Sequence, residues 1–161
     1  MGNMYEEMIA LGIPKEKMSN ILHDFKSSMI KDQDSLEFFE GVDVMLEELS
    51  KENEIVIITS NVSEVVHNFL NSKNICGYQR IIGGEKETSK VKKIEAIKIE
   101  FPEHFYFYIG DTKGDIIEGK KAKVKTIAVT WGWHNESTLK EQDPDYVVQS
   151  PMELGRLFNE L

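Results

Sequence analysis

Phe105-Tyr-Phe-Tyr-Ile-Gly-Asp-Thr-Lys-Gly-Asp115 is the stretch from which the fold follows. Its first part, Phe105–Ile109, is apolar or aromatic at both parities, as expected of a strand covered on both faces. The strand runs into Gly110 and Asp111, and a second aspartate stands four residues on, in the first turn of a helix expected over Gly114 to Ala122. In a parallel sheet flanked by helices, ligands bind beyond the carboxyl ends of the strands. Two carboxylates that converge there suit a hard, octahedral cation such as Mg²⁺, completed by waters and a substrate phosphate. Gly110 would let the backbone pass close to a ligand. The structural alternative is that Asp111 caps the helix and Asp115 merely favours its positive end.

The same layout recurs upstream. Ile55-Val-Ile-Ile58 is a short β-branched run that leads into Thr59-Ser60-Asn61, two hydroxyls and an amide directly ahead of a helix. Free N–H groups at a helix start make such a turn an anion cradle, and the plainer reading is a cap supplied by Asn61 or Ser63. The inward stripe of that helix is Val62, Val65, Val66, Phe69 and Leu70. A third strand, Gln79–Ile82, ends in Gly83-Gly84 and precedes a helix from Ser89 to Phe101 with Val91, Ile94, Ile97 and Phe101 inward. Lys90 opens that helix within a patch that includes Lys86, Lys92 and Lys93; a lysine there would neutralise charge during phosphoryl transfer. A solvated helix face is the plain alternative, and it is the preferred reading for Lys92. Strands at Lys125–Val129 and Tyr146–Val148 and a helix over Pro151 to Glu160 complete an alternation that implies a mostly parallel sheet with helices on both faces.

Before this region lie a helical stripe of Val42, Met45, Leu46 and Leu49 and an earlier amphipathic segment with Met18, Ile21, Leu22, Phe25 and Met29 on one face. Lys31–Ser35 reads as a polar turn between them.

The chain has 161 residues, a net charge of −9 and 40% hydrophobic residues, enough for a core in one domain with a small appendage. The negative balance argues against nucleic acid or an anionic membrane as partner, while a small phosphorylated molecule needs only a local cation. The single cysteine, Cys76, excludes an internal disulfide and reads as a packed or inert thiol. No apolar run reaches the roughly 20 residues of a membrane span. The stretch Met1–Tyr5 lacks the features of a signal peptide, so a cytoplasmic setting is expected. His23, His67 and His104 show no metal-ligand spacing. His134, within Trp131-Gly-Trp-His134, reads as structural, with both tryptophans covering rim or core.

Taken in order, Thr59, Lys90 and the Asp111/Asp115 pair resemble motifs two, three and four of the haloacid dehalogenase (HAD) superfamily. Tyr108-Ile-Gly-Asp-Thr-Lys-Gly-Asp-Ile-Ile-Glu-Gly-Lys-Lys-Ala122, Thr126-Ile-Ala-Val-Thr-Trp-Gly-Trp-His134 and Asp143-Pro-Asp-Tyr-Val-Val-Gln-Ser-Pro-Met-Glu-Leu154 are similar to phosphoglycolate-phosphatase-like members. The resemblance covers roughly Phe39 to Leu161. It implies an α/β Rossmannoid three-layer sandwich over residues 39–161, preceded by a partial helical cap over residues 1–38. It further implies that Asp111 and Asp115 bind Mg²⁺, that Thr59 and Lys90 bind and stabilise the transferring phosphoryl group, and that Ser60 and Asn61 flank the phosphate pocket.

The family's nucleophile and acid/base sit in an Asp-x-Asp-Gly-Thr-like motif after the first strand. Here only Asp32-Gln33-Asp34 has the spacing, without a preceding buried strand and with Ser35-Leu36 in place of Gly-Thr. The chain is expected to begin midway through the cap and to lack the usual first central strand. Without that strand, Ile55–Ile58 and Phe105–Ile109 must pair directly, recruit another segment or leave backbone groups unsatisfied, so a closed-up sheet or a homodimer is expected. Two functions stand beside each other: an impaired phosphomonoester hydrolase, and a non-catalytic phosphate- or Mg²⁺-binding or assembly module. An unrelated receiver-like or nucleotide-binding fold is a third, without a Gly-x-Gly-x-x-Gly or Walker-type loop to support it.

Overall fold

The protein is described by a computed structural model over residues 8–32 and 35–161. In chain order the elements are α1 (Lys15–Asp32), α2 (Val42–Leu49), β1 (Val56–Ile58), α3 (Ser63–Ser72), β2 (Arg80–Ile82), α4 (Lys90–Glu100), β3 (Phe107–Gly110), α5 (Lys113–Lys121), β4 (Lys125–Val129), α6 (Glu136–Lys140), β5 (Tyr146–Val148) and α7 (Pro151–Glu160). The α/β alternation read from the sequence is the alternation observed. Along α1, Met18 is buried and Ile21 exposed. The side chains of Leu22, Phe25 and Met29 lie outside the described residues, as do Met1–Tyr5 and, in the Asp32-Gln33-Asp34 candidate, all but the backbone of Asp32.

The strands pair in parallel in two open sheets. β1 lies beside β2, with Ile57 opposite Ile81. β4 lies between β3 and β5, with Ile127 opposite Ile109 on one side and Tyr146 on the other. No ladder joins β1 to β3 among the described residues. The closed-up sheet expected from the sequence is therefore not formed, and both strands end as edges. Their burial shows the consequence: Thr126 to Val129 of β4 are buried, whereas β1 is only half-buried and Ile109 of β3 is 37% exposed. Phe105, placed in the strand by the sequence, precedes it and is 96% exposed.

Helix α2 ties the two sheets together. Met45 and Leu49 pack with Ile127, Val129, Val148 and Leu154, alongside Ile55, Phe107 and Phe158. Leu46 of the same helix packs with Leu70, Ile75 and Ile81, alongside Ile57 and Phe69. Each such side chain contributes roughly 1.5–3 kcal/mol when fully buried, so the i, i+3, i+4 stripe of one short helix serves two cores. A third cluster joins Ile116 of α5, Ala128 of β4 and Leu139 of α6. Helix α6 has no counterpart in the sequence reading, because five residues are too few to establish a period; Asn135 caps it by accepting from the Thr138 N–H at 3.0 Å. Cys76, read as packed or inert, is not packed but exposed. Among the described residues no helix is long and apolar enough to cross a membrane.

The start of β4 is clamped to the start of β5. Asp145 accepts from the Thr126 N–H at 2.9 Å, from the Thr126 hydroxyl at 3.0 Å and from the Lys125 ammonium at 2.6 Å. Burial opposes ionisation of Asp145, but these donors outweigh it and hold the carboxyl at about 2 against its ordinary 3.8. A carboxyl with a lowered folded pKa stabilises the fold above its unfolded value, and that contribution disappears as pH falls. Urea denaturation of Asp145→Asn should therefore show a loss on the order of 1 kcal/mol at pH 7, allowing for solvent screening, and the difference from the parent should shrink between pH 4 and pH 2.

Candidate active site

The acidic pair at the end of β3 divides into two environments. Thr112 is the N-cap of α5, and Asp115 completes a capping box with it. Asp115 Oδ2 accepts from the Thr112 N–H at 3.1 Å and from its hydroxyl at 2.6 Å, while Oδ1 accepts from the Tyr108 hydroxyl at 3.1 Å and from Lys90 Nζ at 2.5 Å. Both oxygens thus already serve two donors each. The Lys90 ammonium also lies 4.0 Å from Glu118 Oε2, and the Lys90 and Asp115 side chains are 12% and 7% exposed. Burial next to Asp115 pushes the Tyr108 phenol above its ordinary 10.0. The helix cap is therefore Thr112 rather than Asp111, and Asp115 serves the cap and Lys90 at once.

Asp111 faces differently. Its Oδ2 accepts from the Trp133 N–H at 2.7 Å and its carbonyl from the His134 N–H at 3.1 Å. The His134 ring returns over the helix start, Nδ1 accepting from the Lys113 N–H at 3.1 Å, which places its proton on Nε2. His134 is thus a backbone tie. Trp131 packs against the first core cluster, while Trp133 is 83% exposed. Two glycines make the crowding possible. A Cβ on Gly132 would clash with the Asp111 side chain, and one on Gly110 with the Asp115 side chain. Gly110 is thus required by a neighbour within the chain, where the sequence suggested an approach to a ligand.

The Thr59-Ser60-Asn61 turn is held from three sides. The Thr59 N–H bonds to the Ile82 carbonyl, its hydroxyl accepts from the Asn61 N–H at 3.0 Å, and the Asn61 carbonyl accepts from the Gly84 N–H at 2.8 Å. Neither Asn61 nor Ser63 caps α3 with its own side chain; Val62 is the N-cap residue. The Glu85 carboxylate takes that place, accepting from the Ser63 N–H at 3.1 Å and from the Ser63 hydroxyl. Opposed by burial, these bonds still lower its pKa. The fourth tie comes from α4: Lys93 Nζ donates to the Thr59 carbonyl at 2.8 Å. The sequence placed Lys93 in a cationic patch and gave no sign that it is 2% exposed, whereas the Lys92 side chain is 70% exposed. Burial, and then the nearby Lys90 ammonium, push the Lys93 pKa below 10.5.

Among the sequence-predicted site residues, Lys90 and Asp115 are in direct contact, Asp111 lies four residues from Asp115 across the helix start, and Thr59 reaches α4 through Lys93. No group of three or more His, Cys, Asp or Glu set to hold a metal exists among the described residues. The fit to a magnesium ion is that of a site needing other oxygens: no described hydrogen bond reaches Asp111 Oδ1, and waters and a phosphate can supply the rest of the shell for a cation of this type. The pairing at Asp115 generates an ordering of stabilities. Asp115→Ala leaves Lys90, largely buried, beside Glu118 and removes the capping box, and should cost roughly 3–5 kcal/mol in chemical denaturation. Lys90→Met leaves Asp115 three donors and should cost about 1–3 kcal/mol. The reverse order would show that the pair is not what holds the helix start.

The family profile described as haloacid dehalogenase-like hydrolase matches residues 1–129. A phosphoglycolate phosphatase of Aquifex aeolicus is 31% identical over 117 residues, 68% of this chain and 53% of that protein. Pyrophosphatase PpaX of Oceanobacillus iheyensis is 27% identical over 146 residues, 85% of this chain and 68% of that protein. The chain thus spans about half to two-thirds of the length of these relatives. Two solved structures share the fold: a haloacid dehalogenase-like hydrolase of Streptococcus pneumoniae, at a TM-score of 0.82 and 24% identity over 98% of this chain and 78% of that one, and a predicted phosphatase of Clostridium acetobutylicum, at 0.83 and 20% over 98% and 76%. With the profile matching well over half of its length, this chain belongs to the haloacid dehalogenase-like hydrolase family.

Proposed function

We propose that these 161 residues form the phosphate- and Mg²⁺-binding part of a phosphoglycolate-phosphatase-type hydrolase. One observation carries the reading: a largely buried ammonium, Lys90, held at 2.5 Å from Asp115 at the carboxyl end of β3. In this reading Lys90 and the Thr59 turn bind the phosphoryl group of a small phosphorylated molecule, with Ser60 and Asn61 flanking it. Asp111 is the carboxylate that offers an oxygen to Mg²⁺, and Asp115 is the second carboxylate, which meanwhile holds Lys90 and the helix start. The ion, when bound, neutralises charge on the phosphoryl oxygens. The named relatives, a phosphoglycolate phosphatase and a pyrophosphatase, support a small phosphate substrate. The exposed thiol of Cys76 favours a reducing, cytoplasmic setting, and residues 1–38 belong to the cap in the same reading.

Binding, rather than turnover, is the activity we assign to these residues. The resemblance places the family's nucleophile in an Asp-x-Asp-Gly-Thr motif after a buried strand, and no stretch of this sequence has that form. Without a carboxylate to attack phosphorus, the cradle and the cation hold a phosphate but offer it no covalent route. Inorganic phosphate titrated by calorimetry should bind, and Mg²⁺ should tighten that binding. Lys90→Met should weaken phosphate roughly tenfold by removing a charge-assisted contact, and Asp111→Asn should abolish the Mg²⁺ effect. Turnover of p-nitrophenyl phosphate should stay at the reagent background. Failure of phosphate to bind with or without Mg²⁺ would reject the site, and hydrolysis that disappears in Asp111→Asn would reject the assignment of binding without turnover.

A further inference from the structure

Lys93 is a buried cation that the proposed phosphate site does not use directly. At 2% exposure it is closed off from solvent, and its ammonium donates to a neutral carbonyl, that of Thr59, at 2.8 Å. Glu85, Glu87 and Glu118 lie near enough to favour its charge, and Lys90 near enough to oppose it. Enclosing a lysine restricts a flexible side chain and strips a strongly hydrated head, which is unfavourable unless the bond it makes is needed. That bond links α4, which carries Lys90, to the end of β1.

The geometry of the peptide unit says what the bond determines. A trans peptide is planar, with its C=O and N–H pointing in opposite directions. Fixing the Thr59 carbonyl on Lys93 therefore fixes the Ser60 N–H, aimed away from Lys93. Of the neighbouring donors, the Thr59 N–H bonds to Ile82, the Asn61 N–H to the Thr59 hydroxyl and the Ser63 N–H to Glu85. Among the described residues no hydrogen bond takes the Ser60 N–H.

We propose that Lys93 is a positioning residue, which locks the Thr59–Ser60 peptide so that the Ser60 N–H is presented to a bound phosphate. The proposal rests on the phosphate reading of the site for its ligand, and on the structure alone for the lock. Lys93 acts from behind the turn and does not touch the anion; Lys90 remains the cation that does.

The test uses Lys93→Met, which keeps the apolar stem and removes the donor, Lys93→Arg, which restores donor and charge, and Lys92→Met as an exposed control. Amide hydrogen exchange at Asn61, whose N–H is bonded to the Thr59 hydroxyl, should accelerate roughly tenfold in Lys93→Met, the weight of one hydrogen bond to a charged group, with exchange in β4 unchanged. The Kd for inorganic phosphate should rise by a similar factor, Lys93→Arg should recover most of both effects, and Lys92→Met should match the parent. If the parent binds phosphate and Lys93→Met binds it equally well, the proposal is wrong. If the parent does not bind phosphate, the site reading fails, and the exchange rate decides the lock: an unchanged rate at Asn61 overturns it, a faster rate supports it. Should Lys93→Met not fold, the side-chain ¹⁵Nζ signal of Lys93 in the parent answers instead. A slowly exchanging ammonium coupled to the Thr59 carbonyl supports the lock, and a freely exchanging one overturns it.

Discussion

The largely buried ion pair of Lys90 with Asp115 ties the site to the scaffold. An ammonium and a carboxylate taken out of water lose hydration worth several kcal/mol each, and the pair persists only because other groups satisfy the remaining valences. Asp115 meets this condition, with Thr112 and Tyr108 supplying its other donors. The same carboxylate closes the capping box that starts α5, so helix initiation, the attachment of α4 to α5 and the placement of a cation at the end of β3 are one interaction. An aspartate engaged in this way is a different chemical object from Asp111, which is half-buried and held through one oxygen by the Trp133 N–H.

The scaffold beneath is divided. Parallel strands gain their stability from coverage on both faces and pairing on both edges, yet among the described residues β1 and β3 have one paired edge apiece, and Ile109 remains partly exposed. Cohesion across the division comes from side chains. Helix α2 contributes Met45 and Leu49 to one core and Leu46 to the other. At the carboxyl ends of the strands, Lys90 and Lys93 of α4 reach to α5 and to the end of β1. Apolar packing by one helix and polar ties from another thus replace the backbone hydrogen bonds that a continuous sheet would have supplied.

Anionic groups of the chain itself already use part of what a helix start offers. Glu85 sits on the Ser63 N–H, and Asp115 on the Thr112 N–H. Any phosphate held here must rely on side-chain cations and on donors that remain, which is why the orientation of one peptide, Thr59–Ser60, carries weight in the proposed mode of binding. The loop from Trp131 to His134 adds rigidity on the far side, clasping Asp111 through two backbone N–H groups and covering the start of α5 with an imidazole.

What the sequence determined by itself follows from local periodicity and chain order. The strands at Ile55–Ile58 and Lys125–Val129, the stripe of α2 and the order of Thr59, Lys90 and Asp111 with Asp115 were legible because strand pattern, helix pattern and motif spacing are properties of neighbouring residues. Only the tertiary structure decided the rest. A lysine at position 93 is polar by composition, and its burial depends on Thr59, which lies 34 residues away. The cap at α3 depends on Glu85, 22 residues from Ser63, and the need for Gly132 depends on Asp111. The parting of β1 from β3 is likewise a matter of which edges find partners. Such pairings arise when segments distant along the chain are brought together, and hydrogen bonds, charge burial and steric contact act through space, so no window of sequence contains them.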